Sequence, residues 1–94
     1  MAITVRFIGA FRSISGKSKL SITIKNAVPL SRIITQVIEE QPKIKRALID
    51  PELEDPRPNT LILVNGKEIS VLNGLDTMVE NGDEVIFVPV VHGG

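Results

Sequence analysis

Residues 26–42 read NAVPLSRIITQVIEEQP. Within them Leu30, Ile33, Ile34, Val37 and Ile38 recur at i, i+3, i+4, i+7 and i+8, which places all five on one stripe of an amphipathic helix. Pro29 suits the first helical turn, where an amide has no partner to lose. Pro42 closes the pattern, because the residue before a proline avoids the α region. A helix with one apolar stripe must bury it against a sheet or another helix, and the flanking sequence decides which.

On the N-terminal side, ITVRFI (3–8) alternates, with Ile3, Val5 and Phe7 on one face and Thr4, Arg6 and Ile8 on the other. LSITI (20–24) alternates again, and the turn-like SGKSK (15–19) between them predicts a β-hairpin. On the C-terminal side, KIKRALI (43–49) predicts a short further helix with Ile44 and Leu48 inward and Ala47 beside them. DPELEDPRPN (50–59) carries three prolines and four acids and reads as a surface loop. TLILVNGKEIS (60–70) predicts a strand, a type I′ turn at Asn65-Gly66 and a second short strand. NGLDTMVENGDE (73–84) is turn-rich, and EVIFVPV (84–90) is a last strand whose pairing should stop near Pro89.

The order hairpin, helix, strand, short strand, strand predicts an α+β fold. One main helix packs on one face of a mixed sheet of four to five strands, and the crossover through that helix lets the first and last strands run in parallel. This is the order of the β-grasp, or ubiquitin-like, fold. The expected division is a domain over 1–88 and a flexible tail over 89–94.

Composition narrows the chemistry. The chain has 94 residues, 43% hydrophobic, a formal net charge of zero, and no Cys, Trp or Tyr. Zinc-thiolate, disulfide and thiol chemistry by this chain are excluded. Balanced charge and three Phe argue against direct nucleic-acid binding. The basic cluster Lys43, Lys45 and Arg46 reads as a solvated helix face. No apolar run approaches a membrane span, no signal peptide is visible, and the expected compartment is the cytosol.

The acid pairs Glu39/Glu40, Glu54/Asp55 and Asp83/Glu84 are sequence neighbours, whose side chains diverge on a helix or strand. His92 stands alone, so no metal site is expected. NGK (65–67) lacks the spacing of a phosphate loop. The domain body therefore offers no catalytic constellation, and the tail VVHGG (90–94) becomes the candidate.

VRFIGAFR (5–12), LVNGKEI (63–69) and above all GLDTMVENGDEVIFVPVVHGG (74–94) resemble the MoaD/ThiS group of ubiquitin-like sulfur carriers, in particular the molybdopterin synthase small subunits. Arg57-Pro58 before the third strand and the terminal HGG lean instead toward the ubiquitin-related modifiers.

The resemblance implies a carrier, not an enzyme on its own. The working group would be the carboxyl of Gly94, with Gly93 beside it. An E1-like (MoeB-like) adenylyltransferase would activate it with ATP, and a sulfur donor enzyme would convert it to a thiocarboxylate. That group would donate sulfur in molybdenum cofactor biosynthesis, in complex with the MoaE-like large subunit of molybdopterin synthase. The alternative is a protein modifier or a carrier for tRNA thiolation. No cofactor is expected on the chain itself.

Ile8 and Val88 match positions that pack on partners in the resembling group, and Met78, Pro89, Val90, Val91 and His92 join them as candidate contacts. Val88 is out of phase with Phe87 and is expected to be exposed if Phe87 is buried. Without Cβ atoms, Gly93 and Gly94 permit close backbone approach. Residues 88–94, fully extended, span roughly 23–25 Å.

Overall fold

The computed structural model describes residues 1–90. Strand β1 (Ala2–Phe7) leads through helix α1 (Ala10–Ser15) into β2 (Lys19–Thr23). A two-residue strand β3 (Val28–Pro29) opens directly into α2 (Leu30–Glu40). A 3-10 turn (Pro42–Ile44) and α3 (Lys45–Leu48) follow. Then come β4 (Thr60–Val64), β5 (Lys67–Glu68), 3-10 turns at Ile69–Val71 and Gly74–Asp76, β6 (Met78–Val79) and β7 (Glu84–Pro89).

The main sheet has the order β2-β1-β7-β4-β5, with β1 and β7 parallel and the other neighbours antiparallel. The parallel centre expected from the crossover is present, with Phe7 opposite Phe87. One face of the sheet presents Ile3, Val5, Phe7, Ile22, Ile62, Val64, Val85 and Phe87 to the core, all buried. Leu30, Ile33, Ile34 and Val37 of α2 close over them. Ile44 and Leu48 plug the end of that layer, as their spacing predicts, with Ala47 half-buried. This is a β-grasp sheet with its main helix on one face.

Several local expectations are corrected. The first strand runs over Ala2–Phe7 rather than 3–8. Its antiparallel partner is joined not by a simple loop but by α1, which buries Phe11 and ends on Gly16 at φ 73°. A left-handed glycine after the last helical residue closes a helix with little strain. Pro29 is the cap before α2 rather than a first-turn residue. Its ψ of 149° is extended, and it pairs with Met78 in a second, two-stranded sheet. The segment 73–84, read as turn-rich, also contains β6.

The Asn65-Gly66 turn behaves as expected, with φ of 50° and 83° as a type I′ turn needs. Asn65 also ties the turn to the start of β7. Its Oδ1 accepts the Glu84 amide at 2.9 Å and its Nδ2 donates to Asp83 at 2.9 Å.

Regular pairing stops near Pro89, as expected, since β7 ends there, but Pro89 itself is still paired. It lies opposite Thr60, and the Val90 amide donates to the Asn59 carbonyl at 2.9 Å. The reason is geometric. The Phe87 carbonyl accepts the Ile8 amide at 3.2 Å, so alternate residues 85, 87 and 89 turn their backbone polar groups toward β1. The donor that Pro89 lacks would point where β1 has already turned away at Gly9, so no ladder bond is lost.

In the 50–59 loop, the Arg57 guanidinium clasps Asp55 and holds its carboxyl below the usual carboxylate range, against a smaller opposing effect of burial.

Candidate functional site: the open sheet face and the root of the tail

The side of the main sheet away from α2 is uncovered. Strand alternation puts Thr4 and Arg6 on it from β1, Leu61 and Leu63 from β4, and Glu84, Ile86 and Val88 from β7. Arg6 and Glu84 make an ion pair across the parallel strands. Thr4 and, from β2, Lys19, Ser21 and Thr23 make one edge of the face polar, whereas its β7 and β4 part is apolar. Leu63 lies opposite Ile86 and Leu61 opposite Val88. Ile8, whose amide bonds Phe87, continues β1 beside Val88 and is 44% exposed. Val90, next in phase after Val88, is 41% exposed.

A run of apolar side chains thus reaches to the last described residue. Scattered surface hydrophobics are ordinary, whereas a contiguous patch marks a contact surface.

The sequence-named candidates divide on the structure. Ile8, Val88 and Val90 come together on the open face, and Pro89 lies between the last two. Val88 is half-buried rather than exposed, because Leu61 covers it from β4. Met78 is 57% exposed but belongs to the two-stranded β3–β6 sheet, which leads into the start of β7 while Ile8 sits at its far end. Val91, His92, Gly93 and Gly94 lie outside the described residues. Leu61, Leu63 and Ile86 complete the patch and were not singled out from sequence. Their alternation with buried Ile62, Val64, Val85 and Phe87 was the available signal.

The root of the tail is held from two sides. Asn59 accepts the Val90 amide on one. On the other, Gly9 turns the chain with φ 57° and ψ −128°, and a Cβ placed there would lie 3.2 Å from Pro89 Cγ. Glycine is thus required twice, by conformation and by the approach of the proline ring. Gly9→Ala is expected to destabilise the domain by about 1–3 kcal/mol. The check is the urea midpoint at unchanged slope, and a midpoint equal to the parent's would remove this role for Gly9.

Elsewhere the chemistry is sparse. Among the described residues no group of three or more His, Cys, Asp or Glu could hold a metal ion, and no helix is long and apolar enough to cross a membrane. A groove of about 890 Å³ runs on the helix side between α2 and the 49–56 segment, lined by Ile34, Ile38, Ile49, Pro56 and Leu75. It faces away from the open sheet.

Comparison with known proteins gives this geometry a lineage. The ThiS family model matches residues 5–94. Ubiquitin-related modifier 1 of Schizosaccharomyces pombe is 31% identical over 100 residues, covering 100% of both chains. Small archaeal modifier protein 3 of Haloferax volcanii is 26% identical, again over 100% of both. The crystal structure of SAMP1 from Haloferax volcanii superimposes with a TM-score of 0.86 at 14% identity, over 100% of each chain, which supports the fold. The family model matches all but the first four residues, and the chain belongs to the ThiS family of ubiquitin-like sulfur carriers and modifiers.

Proposed function

We propose that the chain works through the carboxyl of Gly94. An E1-like adenylyltransferase transfers AMP from ATP to that carboxylate, releasing pyrophosphate. Sulfide supplied by a donor enzyme then attacks the acyl carbon, the bond from that carbon to the AMP oxygen breaks, AMP leaves, and a thiocarboxylate remains. The adenylation is needed because a carboxylate is a poor electrophile, whereas a mixed anhydride with phosphate carries a good leaving group.

The observation that carries this reading is the continuity of the open apolar face with the tail root. Val88 and Val90 belong to both. Four residues carry the chain from Val90 to Gly94, at most about 14 Å. A partner whose active site receives Gly94 must therefore lie against the end of the sheet where Ile8, Leu61 and Val88 sit. An apolar contact there supplies association energy that a short glycine segment cannot.

The likeness to ubiquitin-related modifier 1 over its full length favours a modifier or tRNA-thiolation carrier as the outlet. Sulfur donation to a pterin precursor, with a MoaE-like large subunit supplying the catalytic side chains, is the second reading. It rests on the resemblance of residues 74–94 to molybdopterin synthase small subunits.

The test is pyrophosphate release from ATP by the E1-like enzyme encoded in the same genome, measured with and without the chain. Release that depends on the chain supports adenylation, and release that ignores it contradicts the proposal. Gly94–lysine adducts recovered from cells would then assign the modifier outlet, and their absence would favour the pterin or tRNA outlets.

A further inference from the structure

The zero net charge conceals a segregation. Residues 1–38 contain Arg6, Arg12, Lys17, Lys19, Lys25 and Arg32 and no acid at all. The acids begin with Glu39 and Glu40 at the end of α2, and the rest fall between Asp50 and Glu84.

The fold brings three of these cations, with Lys43, toward the end of the sheet where the tail leaves. At the tail-exit end, the Arg12 amide bonds the carbonyl of Gly9, the residue that packs on Pro89. Lys17 and Lys19 flank Ser18, whose carbonyl accepts the Phe7 amide at 2.9 Å. Because Phe7 pairs with Phe87, these lysines stand two strand spacings, about 10 Å, from β7. Lys43 joins them from the 3-10 turn that packs against α1. All four are exposed, and none is in an ion pair with a described residue.

The opposite end of the sheet carries Glu68, Glu80, Asp83 and Glu84 around the start of β7, but there they are matched by Lys25, Lys67 and the Arg6 that pairs with Glu84. Glu54 lines the helix-side groove with Leu75, and Asp55 is paired with Arg57.

We propose that Arg12, Lys17, Lys19 and Lys43 form a cationic collar that docks on an acidic protein surface around the opening that admits the tail. This deepens the function proposed above and rests on it. The apolar face supplies contact, and the collar supplies direction. Four cations near the exit, unpaired among the described residues, draw the tail toward an acidic opening, which raises the productive encounter rate and makes it salt-dependent. Protein is the occupant favoured over RNA because all three Phe are buried and Trp and Tyr are missing, so the collar has no stacking platform.

The experiment compares two double charge reversals of equal net change, R12E/K17E at the collar and K25E/K67E away from it. Each is assayed for pyrophosphate release with the E1-like enzyme of the same genome. R12E/K17E should raise KM about tenfold at about 50 mM salt, falling to within about twofold at about 0.5 M, with kcat unchanged. K25E/K67E should stay within about twofold at both salts. Equal effects from the two pairs would show that net charge alone matters, and no effect from R12E/K17E would show that the collar is idle. Either result overturns the inference while leaving adenylation standing. An unchanged KM together with weakened binding of total tRNA would assign the collar to RNA and also overturn it. If the parent chain itself elicits no pyrophosphate release, the proposed function falls and takes this inference with it.

Discussion

Deleting Gly93 and Gly94 is expected to abolish adenylation by the E1-like enzyme while leaving the unfolding midpoint of the domain unchanged. The deletion moves the carboxyl to His92 and shortens the chain beyond Val90 from four residues to two, a loss of about 7 Å of reach. Misplacement of a reacting group by about 1 Å can cost about 100-fold, so this displacement should take activity below detection. Stability should hold because the buried core ends at Phe87 and the ladder at Val90, both of which are kept.

Gly94→Ala separates reach from steric fit. It restores the length but adds a Cβ beside the acyl carbon, and should lower kcat more than it raises KM. A deletion variant that is adenylated as well as the parent would show that the terminal glycines are passive.

Phe87→Ala is expected to produce the largest loss of stability, about 3–5 kcal/mol. Phe87 sits in β7, paired on one side with β1 and on the other with β4, and its side chain is fully buried. Its ring packs on Phe7 with centroids 6.3 Å apart and planes tilted by 42°, a geometry that favours aromatic pairs beyond the area they bury. Truncation leaves a cavity in the central parallel pair, where the flanking strands cannot collapse without breaking their ladders.

Against a total stability of about 5–15 kcal/mol for a domain of this kind, the variant should unfold at much lower urea with the slope retained. Phe87→Leu, which keeps most of the volume, should cost under about 1.5 kcal/mol. Equal costs for the two variants would mean that the packing described here is wrong.

The parts of the fold that were legible in sequence are those where a long period or an obligatory backbone conformation left a mark. Five apolar residues at helical spacing defined α2 over its eleven residues. Asn65-Gly66 announced a turn with two positive φ angles. Alternation identified β1, the apolar run 85–88 before Pro89 identified β7, and the helical crossover between them set their parallel pairing.

What escaped were elements too short to show a period. Helix α1 spans six residues and buries only Phe11, so no stripe repeats within it. Gly16, poised as a left-handed cap, was its one signal. Strands β3 and β6 have two residues each, and their pairing depends on where α2 begins.

At the candidate site, alternation told which way Val88 points but not how far Leu61 would cover it, since that depends on the register between β4 and β7. Leu61, Leu63 and Ile86 became part of a surface patch only once that register was known. The proposed collar depended likewise on the pairing that sets Lys17 and Lys19 two strands from the end of β7.

Intact mass of the chain, after incubation with the E1-like enzyme, ATP and a sulfur donor, decides whether Gly94 carries the chemistry. Replacement of one oxygen by one sulfur, localised to the C-terminal peptide and dependent on ATP, is the predicted result. An unchanged mass, with an enzyme that does load sulfur onto another carrier in the same mixture, would contradict it.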